Sequence, residues 1–381
     1  MRRARAVGTL GAIAAPRATR TLRALCVMAS SLAAPLSRAH AAQPPAQPPA
    51  RVGDTPTRGA LRVDTVWSQS LGTPKRLSVY LPPSYARDTA ARFPVLFYLH
   101  GVGGDEDNWV TLARLDRVMD SLVASGAPEA IVAMPDGDDS WYTTWAALPD
   151  LAGCRRDTTR TEPADRYCVA WPHYDDYIAR DLVAHVDRTY RTRRDARHRG
   201  IAGLSMGGYG AITLALRYPD VFSAAASHSG VVAPALLAPA PVPRDVDVAA
   251  LRWAATPDEL RAAAGERRYT RWFAPAFGRD TIGWYAREPA WLVRRLQRAG
   301  TPVPHLFLDC GLDDPYVGQN RAFVAVLGAR GVPVVYAEPP GAHSWDYWRA
   351  RLPMSLAWLL GRVAPPDTDA PADGGARRDD A

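Results

Sequence analysis

The sequence predicts an α/β fold with a mostly parallel central sheet and helices on both faces. Two observations lead to this class. The chain has 381 residues, 47% of them hydrophobic, which is enough to bury a sizeable core. Within it, short apolar strand-like runs alternate with amphipathic helical segments, and such alternation is typical of parallel sheets covered by helices on both sides.

The elements follow one another with little interruption. The strand predictions are "LRVDTVW", "RLSVYLPP", "FPVLFYLHG", "EAIVAMPDG", "HRGIAGLS", "FSAAASHSG", "HLFLDCG" and "VPVVYAE". The helix predictions are "YDDYIARDLVAHVDRTY", "MGGYGAITLALRYP", "GQNRAFVAVLGARG" and "YWRARLPMSLAWLLGR". Residues 231–300 break the alternation with prolines and several tryptophans, and we expect an inserted cap or a long connection there.

Both ends of the chain differ in composition from the middle. Residues 1–41 read as a signal peptide, with an arginine-rich start, the apolar run "ALCVMASSLAAPL" and small residues at Ala39 and Ala41. The alternative is a retained membrane anchor, but the apolar run is short for a bilayer. Residues 42–59 form a Pro/Ala-rich linker, residues 60–363 the globular domain, and residues 364–381 a polar tail expected to be disordered. We therefore expect a secreted or periplasmic protein without stable membrane insertion.

The basic charge gives no reason to expect a nucleic-acid partner. Residues 1–42 carry seven arginines and no acidic residue, which accounts for the whole formal net charge of +7. The remainder of the chain is electrically balanced, so the sequence provides no basic surface for phosphates.

Three cysteines remain once the leader is removed. Cys154 and Cys168 flank a polar stretch, and in an exported protein a disulfide between them is expected. Cys310 lies in an apolar run and is expected to be a buried thiol without a chemical role.

A candidate nucleophile lies in "IAGLSMGGYG", where Gly203, Ser205 and Gly207 have the spacing G-x-S-x-G. The pattern alone is not specific, but here an apolar strand meets a helix. A sharp strand-to-helix turn at Ser205 strains the serine backbone and requires small neighbours on both sides. The first helical amides would also point toward developing negative charge.

A nucleophilic serine needs a base and an acid, which in this architecture follow it in chain order after later strands. His343 in "GAHSWDYW" is the expected base. Asp309, Asp313 and Asp314 compete for the acid; Asp314 is preferred because it lies well into a loop, and Asp313 is its main rival. His228 also ends a strand and could line the cleft, whereas His100 is expected to be structural.

The oxyanion of an acyl-transfer intermediate needs backbone donors. The amide of Met206, the residue after the nucleophile, is one candidate. The other is expected from the loop "HGVGG", with Val102 first and Gly103 second.

Taken together, the motifs of this sequence resemble those of the putative-esterase family of α/β-hydrolases. The resemblance rests on "LHGVGGDEDNW", "MPDGDDSWY", "IAGLSMGGYGA", "DCGLDD" and "GAHSWDYWR" and covers about Arg62 to Arg362. The family includes feruloyl esterases, tributyrin-type esterases, S-formylglutathione hydrolases and mycolyltransferases. It implies the α/β-hydrolase fold, the triad Ser205, Asp314 and His343, and oxyanion amides at Val102 and Met206. Residues 150–172 and much of 231–290 depart from the shorter members, which leaves the substrate least defined.

The expected function is an exported serine carboxylic-ester hydrolase that works through an acyl-enzyme. Acylated saccharides, feruloyl-like esters and short-chain esters are the candidate substrates. An acyltransferase with the same triad and a non-catalytic binding protein on the same scaffold are the alternatives. The sequence leaves the oligomeric state open.

Aromatic residues in loops near the presumed cleft are the candidate substrate contacts: Trp109, Trp141 and Trp345, with Trp145 and Trp348 nearby. No cofactor is expected, and no metal-ligand spacing is found. The acidic runs "DEDN" and "DGDD" lack the remainder of a calcium loop, so we expect solvated or helix-capping acids.

Overall fold

The computed structural model describes residues 58–156, 163–237 and 242–364. The predicted signal peptide, most of the predicted linker and the tail beyond Ala364 lie outside the described residues.

Ten strands are present in the described residues. They are β1 (Ala60–Ser68), β2 (Thr73–Leu81), β3 (Val95–Leu99), β4 (Ile131–Pro135), β5 (Arg199–Leu204), β6 (Ala224–His228), β7 (Leu236–Leu237), β8 (Arg252–Trp253), β9 (His305–Asp309) and β10 (Val334–Ala337). Eight of them form one sheet in the order β1-β2-β4-β3-β5-β6-β9-β10. The strands from β4 to β10 in that order run parallel, while β1 and β2 are antiparallel additions at one edge. The mostly parallel central sheet is therefore confirmed.

The helices in the described residues connect these strands. They are α1 (Asn108–Thr111), α2 (Leu115–Ala124), α3 (Leu151–Arg156), α4 (Ala164–Tyr167), α5 (Tyr174–Asp176), α6 (Val183–Thr189), α7 (Met206–Arg217), α8 (Pro257–Ala264), α9 (Glu266–Arg268), α10 (Ala274–Phe277), α11 (Thr281–Tyr285), α12 (Pro289–Arg298), α13 (Val317–Ala329) and α14 (Trp345–Val363). Two π-helical segments, Tyr177–Leu182 and Tyr269–Phe273, continue α5 and α9.

The central strands are buried on both faces, and their alternating side chains divide between two cores. In β3, Val95, Phe97 and Leu99 face one core, while Leu96 and Tyr98 face the other. This division follows from the two-residue period of a strand. Helices α6, α7 and α12 cover the first core, and α2 and α14 cover the second. The prediction of helices on both faces is confirmed.

The segment 231–300 is only partly the insertion that the sequence predicts. Hairpin strands β7 and β8 and helices α8 to α11 form the added part. Helix α12, however, packs along α7 and serves as the ordinary connection into β9. Helix α2 was not predicted from the sequence, although its buried Leu115 and Met119 have helical i, i+4 spacing.

The cysteine predictions agree with the structure. Cys154 in α3 and Cys168 after α4 form a disulfide, with their Cα atoms 5.8 Å apart. Cys310 is a buried free thiol. The disulfide therefore ties together the two ends of a segment in which the sequence departs from shorter family members.

Candidate active site

The candidate nucleophile occupies a strained turn between β5 and α7. Ser205 has φ 53° and ψ −116°, a conformation that non-glycine residues rarely adopt. Its backbone N–H donates to the carbonyl of His228 at the end of β6, 2.9 Å away. Such strain persists only where the surroundings fix it, and it is frequent at functional sites.

The two glycines of the motif are required by close backbone approach. A Cβ on Gly203 would lie 2.4 Å from the carbonyl group of Gly207. A Cβ on Gly207 would lie 2.4 Å from the carbonyl oxygen of Leu99 at the end of β3. Neither contact can be relieved by moving a side chain, so the G-x-S-x-G spacing is a steric condition of this turn.

The imidazole of His343 joins the serine to a carboxylate. Its Nδ1 lies 2.8 Å from Oδ2 of Asp314, so Nδ1 carries the proton and donates it to that oxygen. Its Nε2 is then free to accept the hydroxyl hydrogen of Ser205, whose Oγ is 3.0 Å away. The structure thus brings together the three side chains that the sequence analysis selected.

The choice among the three candidate acids follows from their surroundings. Asp314 is buried, and its second oxygen accepts the backbone N–H of Tyr316 at 2.8 Å, which fixes the carboxylate plane. Asp313 points its side chain into solvent. Asp309 is buried within β9 and bonds to His228. The structure therefore favours Asp314 over both alternatives.

The expectation that His228 could line the cleft is wrong. This histidine is fully buried at the end of β6. Its Nδ1 pairs with Asp309 at 2.9 Å and its Nε2 with the hydroxyl of Ser355 in α14 at 2.8 Å. Both ring nitrogens are thereby engaged in a network that joins the sheet to the closing helix.

The candidate oxyanion donors differ in whether their amides are engaged. The amide of Gly103, the second-ranked candidate, donates to Oδ1 of Asp139 at 2.6 Å. Among the described residues, the amides of Val102 and Met206 have no hydrogen-bond acceptor. Of the three candidate amides, those of Val102 and Met206 are therefore the two that remain unengaged.

His100 fixes the peptide plane that carries the Val102 amide. Its Nε2 accepts the N–H of Gly137 at 2.9 Å, so the proton must be on Nδ1. Nδ1 lies 2.8 Å from the carbonyl oxygen of Gly101 and donates to it. The Gly101 carbonyl and the Val102 N–H belong to one rigid peptide unit, and holding the first orients the second.

Two of the three acids in the run "DGDD" are buried, contrary to the expectation of solvated or helix-capping acids. Asp136 and Asp138 are buried, and both pair with Nζ of Lys75, at 2.7 and 2.8 Å. Burial alone would lower the pKa of Lys75, but the carboxylates of Asp138 and Asp136 outweigh burial and raise it. This lysine, the only one in the chain, extends from β2, far away in sequence, and contacts both buried carboxylates with a single positive charge.

A cleft of about 580 Å³ opens over Ser205 and His343. Its aromatic lining consists of Trp141, Trp272, Phe273, Tyr316, Trp345 and Trp348. Trp141 packs against Phe273 with their ring centres 4.4 Å apart, so the insertion closes one side of the cleft. The cleft therefore combines aromatic walls with the polar groups of Ser205 and His343.

Of the three predicted substrate-binding tryptophans, Trp141 and Trp345 line this cleft and Trp109 does not. Trp109 is 1% exposed, and its indole N–H donates to the carbonyl of Leu99 at 3.1 Å. Its ring packs edge-on beneath Trp345. Trp109 therefore lies beneath the cleft and supports Trp345. Its indole N–H is not available to a substrate, because it already donates to a backbone carbonyl in the core.

The contribution of the inserted segment to the cleft was not predicted from the sequence. Trp272 and Phe273 come from the π-helical segment Tyr269–Phe273, and Arg268 precedes it. The adjacent aromatic pair in "RWF" was the available signal, but nothing in its spacing indicated which element it would face.

Comparison with known proteins identifies the family of the chain. The family described as "Putative esterase" matches residues 68–359. The chain belongs to this esterase family. An acetyl esterase from Caldicellulosiruptor saccharolyticus is 26% identical to this esterase over 266 residues, covering 69% of this chain and 82% of that protein. Esterase Rv1288 from Mycobacterium tuberculosis is 26% identical over 316 residues, but the match spans only 60% of that longer protein.

Solved structures show the same fold as this esterase. A ferulic acid esterase superposes with a TM-score of 0.54 at 24% identity, covering 80% of this chain and 98% of that one. The serine hydrolase FphF from Staphylococcus aureus superposes with a TM-score of 0.58 at 21% identity, covering 80% and 99%. The α/β-hydrolase fold is therefore confirmed.

Two features are absent from the described residues of this esterase. Within them, no group of three or more His, Cys, Asp or Glu side chains could hold a metal ion. Over the same ranges, no helix combines the length and apolar character that crossing a bilayer requires.

Proposed function

We propose that this esterase hydrolyses carboxylic esters through an acyl-enzyme on Ser205. The observation that carries the proposal is the position of His343, whose two ring nitrogens lie 3.0 Å from the Ser205 hydroxyl and 2.8 Å from the Asp314 carboxylate. A serine hydroxyl is a weak nucleophile unless a base removes its proton, and this arrangement supplies the base and its orienting acid.

The reaction then proceeds in two halves. Oγ of Ser205 attacks the ester carbonyl while Nε2 of His343 takes its proton, and Asp314 stabilises the resulting imidazolium. The intermediate collapses when the imidazolium gives that proton to the leaving alcohol oxygen. Water then attacks the acyl-enzyme with His343 as base, and the carboxylic acid leaves.

The negative charge of each intermediate develops on the former carbonyl oxygen. The free amides of Val102 and Met206 are the donors we assign to it. One such donor lowers the barrier by about 3 kcal/mol, because it is already oriented when the charge appears.

The substrate class follows from the cleft and the relatives. Aromatic walls around about 580 Å³ suit a flat aryl acyl group or a short chain. The relatives include an acetyl esterase and a ferulic acid esterase. We infer that the esterase acts on acylated saccharides, feruloyl-like esters or short-chain esters.

We further infer that the esterase is exported and works outside the cytoplasm. The arginine-rich leader supports this inference, and the disulfide between Cys154 and Cys168 is compatible with an oxidising compartment.

The experiment is a substrate panel of nitrophenyl esters of increasing acyl length plus methyl ferulate, measured for wild type and for His343→Ala. Each reaction of a nitrophenyl ester is run with and without methanol as acceptor. Release of free acid by the wild type alone supports hydrolysis through this histidine. Predominant transfer to methanol would instead support an acyltransferase, and unchanged rates in His343→Ala would contradict both.

A further inference from the structure

A cluster of polar side chains is buried between helix α14 and the strands that end beside the triad. Its members are Tyr98, His228, Asp309, Tyr347, Arg351 and Ser355. The cleft over Ser205 is lined by other residues, so the proposed reaction does not use this cluster directly. Apolar residues of similar volume often stabilise a core as well as a buried ion pair does. Stability alone therefore does not account for the cluster.

The carboxylate of Asp309 is the centre of the cluster, and both of its oxygens are engaged. Oδ1 accepts hydrogen bonds from Nδ1 of His228 at 2.9 Å and from the hydroxyl of Tyr347 at 3.1 Å. Oδ2 accepts from Nε of Arg351 at 3.1 Å, which places a cation beside the buried carboxylate. Because donors from β6 and from α14 hold the two oxygens, the carboxylate cannot turn without breaking one of these bonds.

His228 also supports the backbone of the nucleophile. Leu204, His228 and Asp309 are the last residues of β5, β6 and β9, and they are paired in register across the sheet. One residue beyond this row, the N–H of Ser205 donates to the carbonyl of His228 at 2.9 Å. Ser205 has a strained φ of 53°, which persists only where the surroundings fix it. The carbonyl of His228 is one of the groups that fix it.

The ring of His228 is held at its other end as well. Nε2 lies 2.8 Å from the hydroxyl of Ser355 in α14, and that hydroxyl lies 3.2 Å from the hydroxyl of Tyr98 in β3. All three side chains are fully buried. Because a close-packed interior transmits strain, a ring that is fixed at both ends also limits where the carbonyl of His228 can lie.

The same carboxylate is connected to the loops of the other two triad members. Asp309 ends β9, and the loop that follows it carries Asp314. Tyr347 lies in the first turn of α14, directly after the loop that carries His343. A Cβ on Gly341 in that loop would overlap the ring of Tyr347, so the ring and the loop are in close contact. Asp309 is therefore at most one bonded residue away from each of the three segments that hold the triad.

We propose that His228 and Asp309 are positioning residues for the reaction, whose buried pair fixes the Ser205 turn relative to the loops of Asp314 and His343. This inference rests on the acyl-enzyme function proposed above. The pair lies outside the cleft, so it acts by keeping the hydroxyl of Ser205 within reach of Nε2 of His343. Weakening the pair should therefore lower kcat and leave KM nearly unchanged.

Two substitutions of His228 separate its two hydrogen bonds. The amide nitrogen of asparagine takes about the place of Nδ1, so His228→Asn keeps a donor to Asp309 and loses the partner of Ser355. The amide of glutamine takes about the place of Nε2, so His228→Gln does the reverse. Tyr347→Phe removes one donor to Asp309 and keeps the ring against Gly341.

Asp187→Asn is the control for a general loss of stability. Asp187 pairs with the buried Arg199 at 2.7 Å. Arg199 is the first residue of β5, at the opposite end of this strand from the Ser205 turn. The variant therefore weakens a buried ion pair in the same sheet without touching a triad loop. Thermal unfolding ranks all four variants by stability, and circular dichroism verifies that they are folded.

Activity is measured on nitrophenyl acetate, and the rate at which a nitrophenyl phosphonate modifies Ser205 reports directly on the nucleophile. We expect His228→Gln to lower kcat and this modification rate about tenfold, with KM within about twofold of wild type. A displacement of about 1 Å costs about 10²-fold, and a smaller displacement costs less. His228→Asn should keep both rates within about threefold of wild type, and Tyr347→Phe should lower both about threefold.

Asp187→Asn should lower the melting temperature without changing kcat. Wild-type kcat in both His228→Gln and Tyr347→Phe would overturn the proposal. Equal losses of kcat in His228→Asn and His228→Gln would also overturn it, as would a loss in Asp187→Asn as large as that in His228→Gln. If His228→Gln does not fold, unchanged kcat in Tyr347→Phe overturns the proposal by itself.

Failure of this inference can be separated from failure of the proposed function. Ser205→Ala is measured on the same ester. An inactive Ser205→Ala together with wild-type kcat in His228→Gln rejects the positioning role alone. An active Ser205→Ala rejects the acyl-enzyme function on Ser205.

Discussion

The backbones of Gly311 and Gly341 are in direct contact. A Cβ placed on Gly311 would lie 2.2 Å from the carbonyl oxygen of Gly341, and that same oxygen accepts the N–H of Asp313 at 2.9 Å. These two loops carry Asp314 and His343. The distance between the carboxylate of Asp314 and the imidazole of His343 is therefore set by main-chain contact between the two loops. If a substitution pushes the loops apart, no side-chain movement can restore that distance.

Gly311→Ala should separate the two loops and lower kcat on nitrophenyl acetate by about 10²-fold, because a displacement of about 1 Å in a catalytic group costs about that much. The protein should remain folded by circular dichroism. Gly328→Ala in α13 is the matched control, since nothing lies within 4 Å of the added Cβ. Equal kcat values for Gly311→Ala and wild type would show that the contact does not position the triad.

Asp314→Asn should lower kcat by about 10⁴-fold, because an amide at this position favours the wrong imidazole tautomer of His343. Asp313→Asn, one residue earlier and facing solvent, should change kcat less than about threefold. Both variants are measured on one nitrophenyl ester at pH 8. If kcat falls strongly in Asp313→Asn and stays nearly normal in Asp314→Asn, Asp313 is the triad acid. The assignments of the serine and the histidine would then stand.

Lys75→Met should destabilise the protein by about 3–5 kcal/mol, since it leaves the buried carboxylates of Asp136 and Asp138 uncompensated. Urea unfolding at pH 7 measures the change, and Arg267→Met at an exposed position is the control. A loss below about 1 kcal/mol would mean that solvent or another cation already stabilises these carboxylates.

Glu338 should produce an acid-dependent loss of stability. Burial alone would raise the pKa of Glu338, but hydrogen bonds from Arg321, Tyr336 and Arg244 outweigh it and hold the pKa at about 2. A carboxylate whose pKa is lowered on folding stabilises the folded state at pH values above its unfolded-state pKa, which is about 4.3 for glutamate. This contribution is lost as the pH falls toward the folded-state pKa of about 2.

Glu338→Gln is therefore expected to lower the free energy of unfolding by about 1–3 kcal/mol at pH 7. The difference from wild type should shrink between pH 4.5 and pH 2, as urea titrations across that range can measure. A difference independent of pH would mean that hydrogen bonding, and not the carboxylate charge, is what the variant removes.

The sequence was most informative where chemistry depends on local chain geometry. Ser205 could be assigned because the turn between a strand and a helix demands small neighbours, and Asp314 and His343 because they follow later parallel strands at the same edge of the sheet. These constraints act over a few residues each, so they can be recognised without knowing the rest of the fold.

Predictions that depended on long-range packing were less successful. Nothing near Trp109 in the sequence shows that a core carbonyl takes its N–H. Likewise the run "DGDD" resembles a solvated turn until β2 brings Lys75 beneath it. The aromatic pair Trp272 and Phe273 had no assignable partner, because the position of an insertion over a cleft is a tertiary property.

The central claim is that Ser205 forms an acyl-enzyme with His343 as its base. The most direct measurement is kcat/KM on nitrophenyl acetate for wild type, Ser205→Ala, His343→Ala and the double variant. We expect each single variant to lose at least about 10⁴-fold in kcat/KM and the double variant to lose little more, because triad residues act as a unit. Wild-type kcat/KM in Ser205→Ala, with the fold intact, would contradict the assignment of Ser205 as the nucleophile.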